Sequence, residues 1–294
     1  MKDLLSMQKI IEQCDADFNK RLFDIADAIA ANKVKIVSLS GPTCSGKTTA
    51  AAMLAERLGE DGRRVHIVSI DDFYYDREYL DRLSKKKGDD IVDYDSVDTI
   101  DLAALEVFVS EAISGVVVHC PVFDFRTGRR SGYRSIDADE GDIFIFEGIQ
   151  TIYPRITALF EPHGFEGIYI APMTALRDGD AYFEPNELRL LRRLVRDSNF
   201  RNTDAQFTLQ MWDSVRQNEE KNIFPYVGNC DYKIDSTQPY ELDILKPYLE
   251  RILADVDEDS PQYAKASAIL GKIAHIQGAD SSAVGLGSLY KEFV

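Results

Sequence analysis

Three short stretches combine residue types and spacings that can do chemistry. Residues 41–48 read GPTCSGKT and fit G-x-x-x-x-G-K-[ST]. With ordinary glycine, lysine and serine/threonine usage, a chain this long gives on the order of 0.01 chance matches. Residues 68–75 read VSIDDFYY, an apolar run that ends on Asp71 and Asp72. Residues 187–201 read ELRLLRRLVRDSNFR and hold Arg189, Arg192, Arg193, Arg196 and Arg201, although the formal net charge of the chain is -16. The chemistry suggested is phosphate handling: a cradle, a carboxylate able to take a proton, and guanidiniums able to hold phosphate oxygens.

Each group has a physical role to fill. Gly41 and Gly46 let backbone N–H groups turn inward around phosphates, with Pro42, Thr43, Cys44 and Ser45 completing the loop. A helix starting near Lys47 adds its positive end. Lys47 would reach the β- and γ-phosphates, Thr48 would ligate Mg²⁺, and Thr49 joins the nucleotide-binding set. Cys44 reads as a small filler of the loop. Asp71 sits where a strand ends and could accept the proton of an attacking hydroxyl. A helix N-cap is an equal reading of it. At about 100° per residue, Arg189, Arg192, Arg193 and Arg196 fall within a ~100° arc, opposite Leu188, Leu190, Leu191, Leu194 and Val195. Such a helix packs by its leucines and presents a strip of arginines, the expectation for a lid closing over phosphates.

Other nucleotide proteins fit less well. A guanine-reading NKxD is absent, since NKVK at 32–35 lies before the loop and lacks the aspartate. A transporter ATPase would follow its buried strand with Asp-Glu, whereas IFIF ends in Glu147-Gly148.

These groups need a scaffold. VKIVSLS (34–40), RVHIVSI (64–70), DIFIFEG (142–148) and GIYIAP (167–172) read as buried strands. Residues 4–31 read as one or two amphipathic helices, and 48–62 and 102–114 as helices. Residues 116–136 have hairpin character with Thr127-Gly128 near the turn. Strands alternating with helices predict an α/β fold with a parallel sheet covered on both faces. We divide the chain into an N-terminal helical extension (1–33), a P-loop α/β domain (34–250) and a helical tail (251–294). The acidic runs 137–142 and 255–260 read as solvated turns. The acidity argues against nucleic-acid and anionic-membrane partners. No run approaches the ~18 apolar residues of a membrane span. The cysteines at 14, 44, 120 and 230 are scattered, without a metal or disulfide pattern. A cytoplasmic protein is the expectation.

Taken in order, GPTCSGKTT, VSIDDFYYDRE, YDSVDTIDL, PVFDFRTGRR, IFEGI, RLLRRLVRDSNFR and SVRQNEEKNIFPY resemble the phosphoribulokinase/uridine kinase family, closest to its bacterial uridine kinase-related branch. The blocks span roughly 34–250. The resemblance implies a P-loop kinase of three α/β/α layers, with a β-hairpin excursion and an arginine-rich helical lid. It implies transfer of phosphate from ATP, with Mg²⁺, to a hydroxyl of a sugar or nucleoside. It places the catalytic base on Asp71, a ribose-holding aspartate on Asp95 and a base contact on Phe123. It places phosphate-binding lid residues on Arg189, Arg192, Arg193, Arg196 and Arg201, with Arg192 and Arg196 counted as catalytic alongside Lys47. Glu147 would act at the Mg²⁺ or its waters. Tyr74, Phe125, Arg130 and Arg201 join the substrate-binding set. Two departures stand out. Gly128 takes the place of a base-reading histidine, and Phe207, beside Gln206, takes that of a glutamine.

Three activities stay open on the sequence. One is a nucleoside kinase acting on a 5′-hydroxyl of a uridine- or cytidine-like acceptor. Another is a kinase for a sugar phosphate or pantothenate, with Arg126, Arg129 and Arg130 of the hairpin binding an anion. The third is a nucleotide sensor without catalysis. Family members often associate, and residues 1–31 and the tail could supply the interface of a homo-oligomer.

Overall fold

The structure is a computed structural model that describes residues 3–87, 92, 94 and 96–294. Along the chain run α1 (Leu4–Asn32), β1 (Ile36–Ser40), α2 (Lys47–Gly59), β2 (Val65–Ser69), α3 (Arg77–Lys87) and α4 (Leu102–Ile113). Next come β3 (Val117–Asp124), β4 (Arg129–Asp137), β5 (Ile143–Glu147), α5 (Pro154–Phe160), β6 (Phe165–Ala171), β7 (Leu176–Asp178) and β8 (Ala181–Phe183). The chain continues through α6 (Pro185–Phe200), α7 (Ala205–Asn222), β9 (Tyr232–Asp235), α8 (Glu241–Ala254) and α9 (Tyr263–Ile273). Short 3-10 turns join several of these, notably Ile70–Phe73 and Leu289–Glu292.

The main sheet has the order β2-β5-β1-β6-β9, all parallel. Its strands alternate between two apolar layers. Val37 and Leu39 point toward α1 and α2, where they meet Phe18, Leu22 and Ile29 and then Ala50, Ala51 and Leu54. Ile36, Phe144 and Phe146 point the other way, onto Leu105, Phe108 and Val109 of α4 and Ile156 and Phe160 of α5. Burial on both faces is why these strands read as continuous apolar runs. Ser38 and Ser40 interrupt β1 without leaving polar groups stranded, because their hydroxyls donate to Thr151 O and Ile149 O at 3.0 Å each.

The helical regions expected as an extension and a tail share these cores. One face of α1 packs on the sheet, while its first turns (Met7, Ile11) join a second core with α6, α7, α8, α9 and residues up to Phe293. The hairpin β3–β4 stands apart from the main sheet, with a register shift between Val122 and Phe123. Asp142, expected in a solvated turn, is buried, where it accepts from Arg64 Nε at 3.1 Å and lies 2.8 Å from His66 Nε2. Among the described residues, no helix is long and apolar enough to cross a membrane.

Candidate active site

Strand register brings the chemistry to one edge. Leu39 of β1 lies opposite Glu147 of β5, and Glu147 lies opposite Ser69 of β2. The loop after β1, the Glu147 carboxylate and the turn carrying Asp71 therefore emerge together at the C-terminal edge, where a parallel sheet offers its ligand crevice.

The loop between β1 and α2 needs its glycines. A Cβ on Gly41 would collide with the carbonyl oxygen of Ile170, and Gly46 sits at φ +94°, with Leu289 Cδ1 only 2.5 Å from where a Cβ would project. Cys44 takes the left-handed conformation at φ 58° and is buried, in keeping with a packing role. Lys47 Nζ donates to Gly41 O at 2.9 Å and Pro42 O at 3.0 Å. Burial pushes its ammonium below the ordinary value, while Glu147, Glu292 and Asp71 pull it back up. Those three carboxylates are thus within electrostatic reach of the lysine. Ser45 Oγ is buried without a hydrogen-bond partner. A bound phosphate oxygen would satisfy it, so the loop fits a nucleotide. The described residues hold no cluster of three His, Cys, Asp or Glu able to bind a metal alone. Exposed Thr48 and half-buried Glu147 offer hard oxygen donors of the kind Mg²⁺ shares with phosphates and water.

The two adjacent aspartates divide their work. Asp71 faces the lysine side. Asp72 turns away and accepts from Phe123 N at 3.0 Å, fastening the hairpin to the end of β2. Burial holds the Asp72 carboxyl above its ordinary value, with the Phe123 N–H and Arg134 drawing it down. Tyr74, three residues past Asp71, meets Phe123 at 5.6 Å, Phe125 at 6.2 Å and Tyr94 at 6.3 Å, all edge-on. With Arg77 and Gly128 these rings line a cavity of about 430 Å³. Beneath it, buried Gln150 donates to Tyr74 Oη at 2.8 Å and Tyr94 O at 3.1 Å. Gly128 takes φ +67°, a left-handed conformation that favours glycine.

The hairpin arginines do not face this cavity. Arg130 donates to Asp101 at 3.1 Å and Phe73 O at 3.2 Å, Arg129 pairs with Glu78, and Arg126 lies 3.8 Å from Asp124. Arg130, expected among the substrate-binding residues, is engaged by Asp101 and is not among the residues lining the aromatic cavity. Asp95 lies outside the described residues.

The arginines of α6 depart furthest from expectation. Arg189 and Arg192 are not an exposed strip; they are 1% and 0% exposed. Arg189 forms a bidentate pair with Glu219, both bonds at 2.6 Å, and also donates to Thr43 O at 3.2 Å and Asn186 Oδ1 at 3.0 Å. Arg192 donates to Glu241 at 2.8 and 3.0 Å, to Tyr290 Oη at 3.0 Å and to Ser236 O at 2.8 Å, and reaches Cys44 O at 3.4 Å. These guanidiniums hold the carbonyls of the phosphate loop from behind. The remaining three share one carboxylate: Asp197 accepts from Arg196 at 2.8 Å and from Arg193 at 3.2 Å, with Arg201 at 3.7 Å. Three cations on one anion leave net positive charge. The leucines of α6 do pack inward, and the arginines meet Glu219 and Glu241, 30 and 49 residues from their partners in sequence. Phe207, exposed in the first turn of α7, does not line the aromatic cavity. Glu292, Tyr290, Arg77 and Gln150 are site neighbours that carry no local motif.

Comparison with known proteins places the chain in a family. The profile of the Phosphoribulokinase / Uridine kinase family matches residues 36–242, more than half the chain. A uridine kinase of Ureaplasma urealyticum is 24% identical over 181 residues, covering 61% of this chain and 77% of its own. Uridine-cytidine kinase 2-B of Danio rerio is 28% identical over 183 residues, covering 60% and 63%. Among solved structures, phosphoribulokinase of Rhodobacter spheroides is 15% identical, covers 82% of this chain and 98% of its own, and gives a TM-score of 0.45. With its phosphate loop, edge carboxylates and parallel sheet, the chain belongs to the phosphoribulokinase/uridine kinase family of phosphotransferases that act on a hydroxyl group.

Proposed function

We propose that the protein transfers the γ-phosphate of ATP to a hydroxyl of a neutral acceptor with a flat or apolar body, with the 5′-hydroxyl of a uridine- or cytidine-like nucleoside as first choice. The observation that carries this reading is the aromatic cavity built on Tyr74, three residues past Asp71, whose neighbouring hairpin arginines Arg129 and Arg130 are paired with acids. Arg126, Arg129 and Arg130 of the hairpin lie against acids, and the cation lining the cavity is Arg77, which donates to Phe125 O at 3.2 Å. Rings above and below a base supply stacking area with little polar demand. The relatives named uridine kinase and uridine-cytidine kinase support the same choice.

The chemistry is an in-line displacement. The acceptor oxygen forms a bond to the γ-phosphorus as the bond from that phosphorus to the β-bridging oxygen breaks, and ADP leaves with that electron pair. The acceptor O–H proton passes to the Asp71 carboxylate. Backbone N–H groups of residues 43–48 and the Lys47 ammonium hold the phosphates. Arg193 and Arg196 of α6, with Arg201 just past its end, are the cations with charge to spare for the transferred group. Asp95 is proposed for the sugar hydroxyls. Mg²⁺, when bound, draws charge from phosphate oxygens, and Thr48 and Glu147 are the residues that would hold it and its waters.

ADP release with Mg-ATP tests the reading against an acceptor panel: uridine, cytidine, thymidine, ribulose 5-phosphate, pantothenate and no acceptor. Stimulation by a nucleoside and none by ribulose 5-phosphate is expected. Stimulation by the sugar phosphate alone, or silence toward all nucleosides while ATP binds, would overturn it.

A further inference from the structure

The aromatic cavity is rich in ring surface and sparing in hydrogen-bonding groups. Phe123 and Phe125 bring none from their side chains. Tyr74 Oη is held from beneath, donating to Tyr94 O at 3.0 Å and accepting from the fully buried Gln150 at 2.8 Å. The charged group on the wall is Arg77, in the first turn of α3. Tyr94 brings the other side-chain hydroxyl.

Arg77 is fastened to the hairpin at two points. Its backbone N–H donates to Gly128 O at 2.7 Å, and its Nη2 donates to Phe125 O at 3.2 Å. The side chain lies across Gly128: its Nε is 2.7 Å, and its Cζ 2.9 Å, from where a Cβ on that glycine would project. The guanidinium thus takes the stretch of wall that a larger residue at 128 would fill. Asp81 and Asp124 line a neighbouring cleft with it, yet among the described residues Arg77 forms no ion pair. A guanidinium has five N–H donors and no acceptor. One is committed to Phe125 O, and the others can meet only lone pairs.

In the reaction proposed above the 5′-hydroxyl lies at Asp71. Asp71, Tyr74 and Arg77 follow one another along the chain away from the end of β2, and Arg77 rests against the hairpin turn. The base edge farthest from the sugar is then the one that meets Arg77. Uracil presents a carbonyl oxygen at that edge; cytosine presents an amino group. We propose that Arg77 reads this edge and makes the site select a uracil-type nucleoside over a cytosine-type one. Its N–H donates to the uracil carbonyl, whereas it meets the cytosine amino group donor to donor, leaving both unpaired. The Tyr94 hydroxyl can donate or accept, so it does not choose between the two. Arg77 is exposed, which puts the preference near the low end for a charged hydrogen bond, about tenfold. This selection rests on the nucleoside reading.

Steady-state kinetics on the full chain with Mg-ATP test this, with uridine and cytidine as the two acceptors. Wild type should favour uridine about tenfold in kcat/KM. Arg77→Ala should bring that ratio close to one, chiefly by raising the KM for uridine. Arg77→Gln, whose amide can both donate and accept, should also narrow it. A merely structural loss would slow both nucleosides alike and leave the ratio standing. An unchanged ratio in both variants would therefore overturn selection by Arg77 while the nucleoside reading stands, and a wild type that favours cytidine would do the same. Silence toward both nucleosides, whether or not ribulose 5-phosphate is phosphorylated, would overturn the nucleoside reading and this selection with it.

Discussion

Replacing Arg192 by alanine should unfold the protein's phosphate-loop support before it touches chemistry. The guanidinium and the Glu241 carboxylate are both 0% exposed. Arg192 makes two bonds to Glu241 and one each to Tyr290, Ser236 Oγ and Ser236 O, and reaches Cys44 O. Removing it leaves a buried, uncompensated carboxylate, which costs about 3–5 kcal/mol. At roughly 2.1 cal/mol/K per residue of unfolding entropy, a chain of this length loses about 5–8 °C in Tm. Thermal and urea unfolding measure this directly. The pair Arg192→Met with Glu241→Leu removes both charges and should recover most of the loss, because a well-packed apolar pair often equals a buried ion pair. Nucleotide affinity should fall with loop order in Arg192→Ala, since Cys44 O loses its donor. If Arg192→Ala keeps wild-type stability within about 1 kcal/mol and loses only kcat, the arginine acts on the transition state and the structural reading is wrong.

Three further outcomes follow from the same geometry. Asp71→Asn should lower kcat by about 10²–10⁴ with nucleotide affinity unchanged by calorimetry; wild-type turnover would remove Asp71 as the proton acceptor. Phe125→Ala, at an exposed position, should leave stability within about 0.5 kcal/mol and raise the acceptor KM; an unchanged KM would place the acceptor elsewhere. Asp72 gives a pH signature. Its folded value is raised, so the folded state binds the extra proton first, and wild type gains stability as pH falls through that value toward 3.8. Any advantage of Asp72→Asn at neutral pH should therefore shrink on acidification in urea titrations, and a pH-independent gap would contradict the assigned burial.

Local and periodic features were readable from the residues alone. The phosphate loop is a contiguous motif between strand and helix, and the strands of 34–40, 142–148 and 167–172 are apolar runs because they are buried on both sheet faces, while 64–70, at the sheet edge, is only partly buried. The position of Asp71 followed from the rule that strand ends face the crevice. Long-range pairing was not readable. Nothing near Arg189 or Arg192 announces Glu219 or Glu241, so an arginine-rich helix looked like a free cationic strip. β9 gives no apolar run because Lys233 and Asp235 break its pattern, and β7 and β8, at three residues each, are too short to show a periodicity. Asp142 looked solvated in an acidic run, yet its partners Arg64 and His66 lie on the neighbouring strand end. The weak patterning of the last thirty or so residues hid Leu289, Tyr290 and Phe293, whose burial depends on helices far earlier in the chain.

The most direct test of the central reading is to identify the phosphorylated product by mass spectrometry after incubation with Mg-ATP and uridine or cytidine, with Lys47→Ala run in parallel. The account predicts a nucleoside 5′-monophosphate from wild type and none from Lys47→Ala. An unmodified nucleoside, with ATP bound and intact, would contradict it.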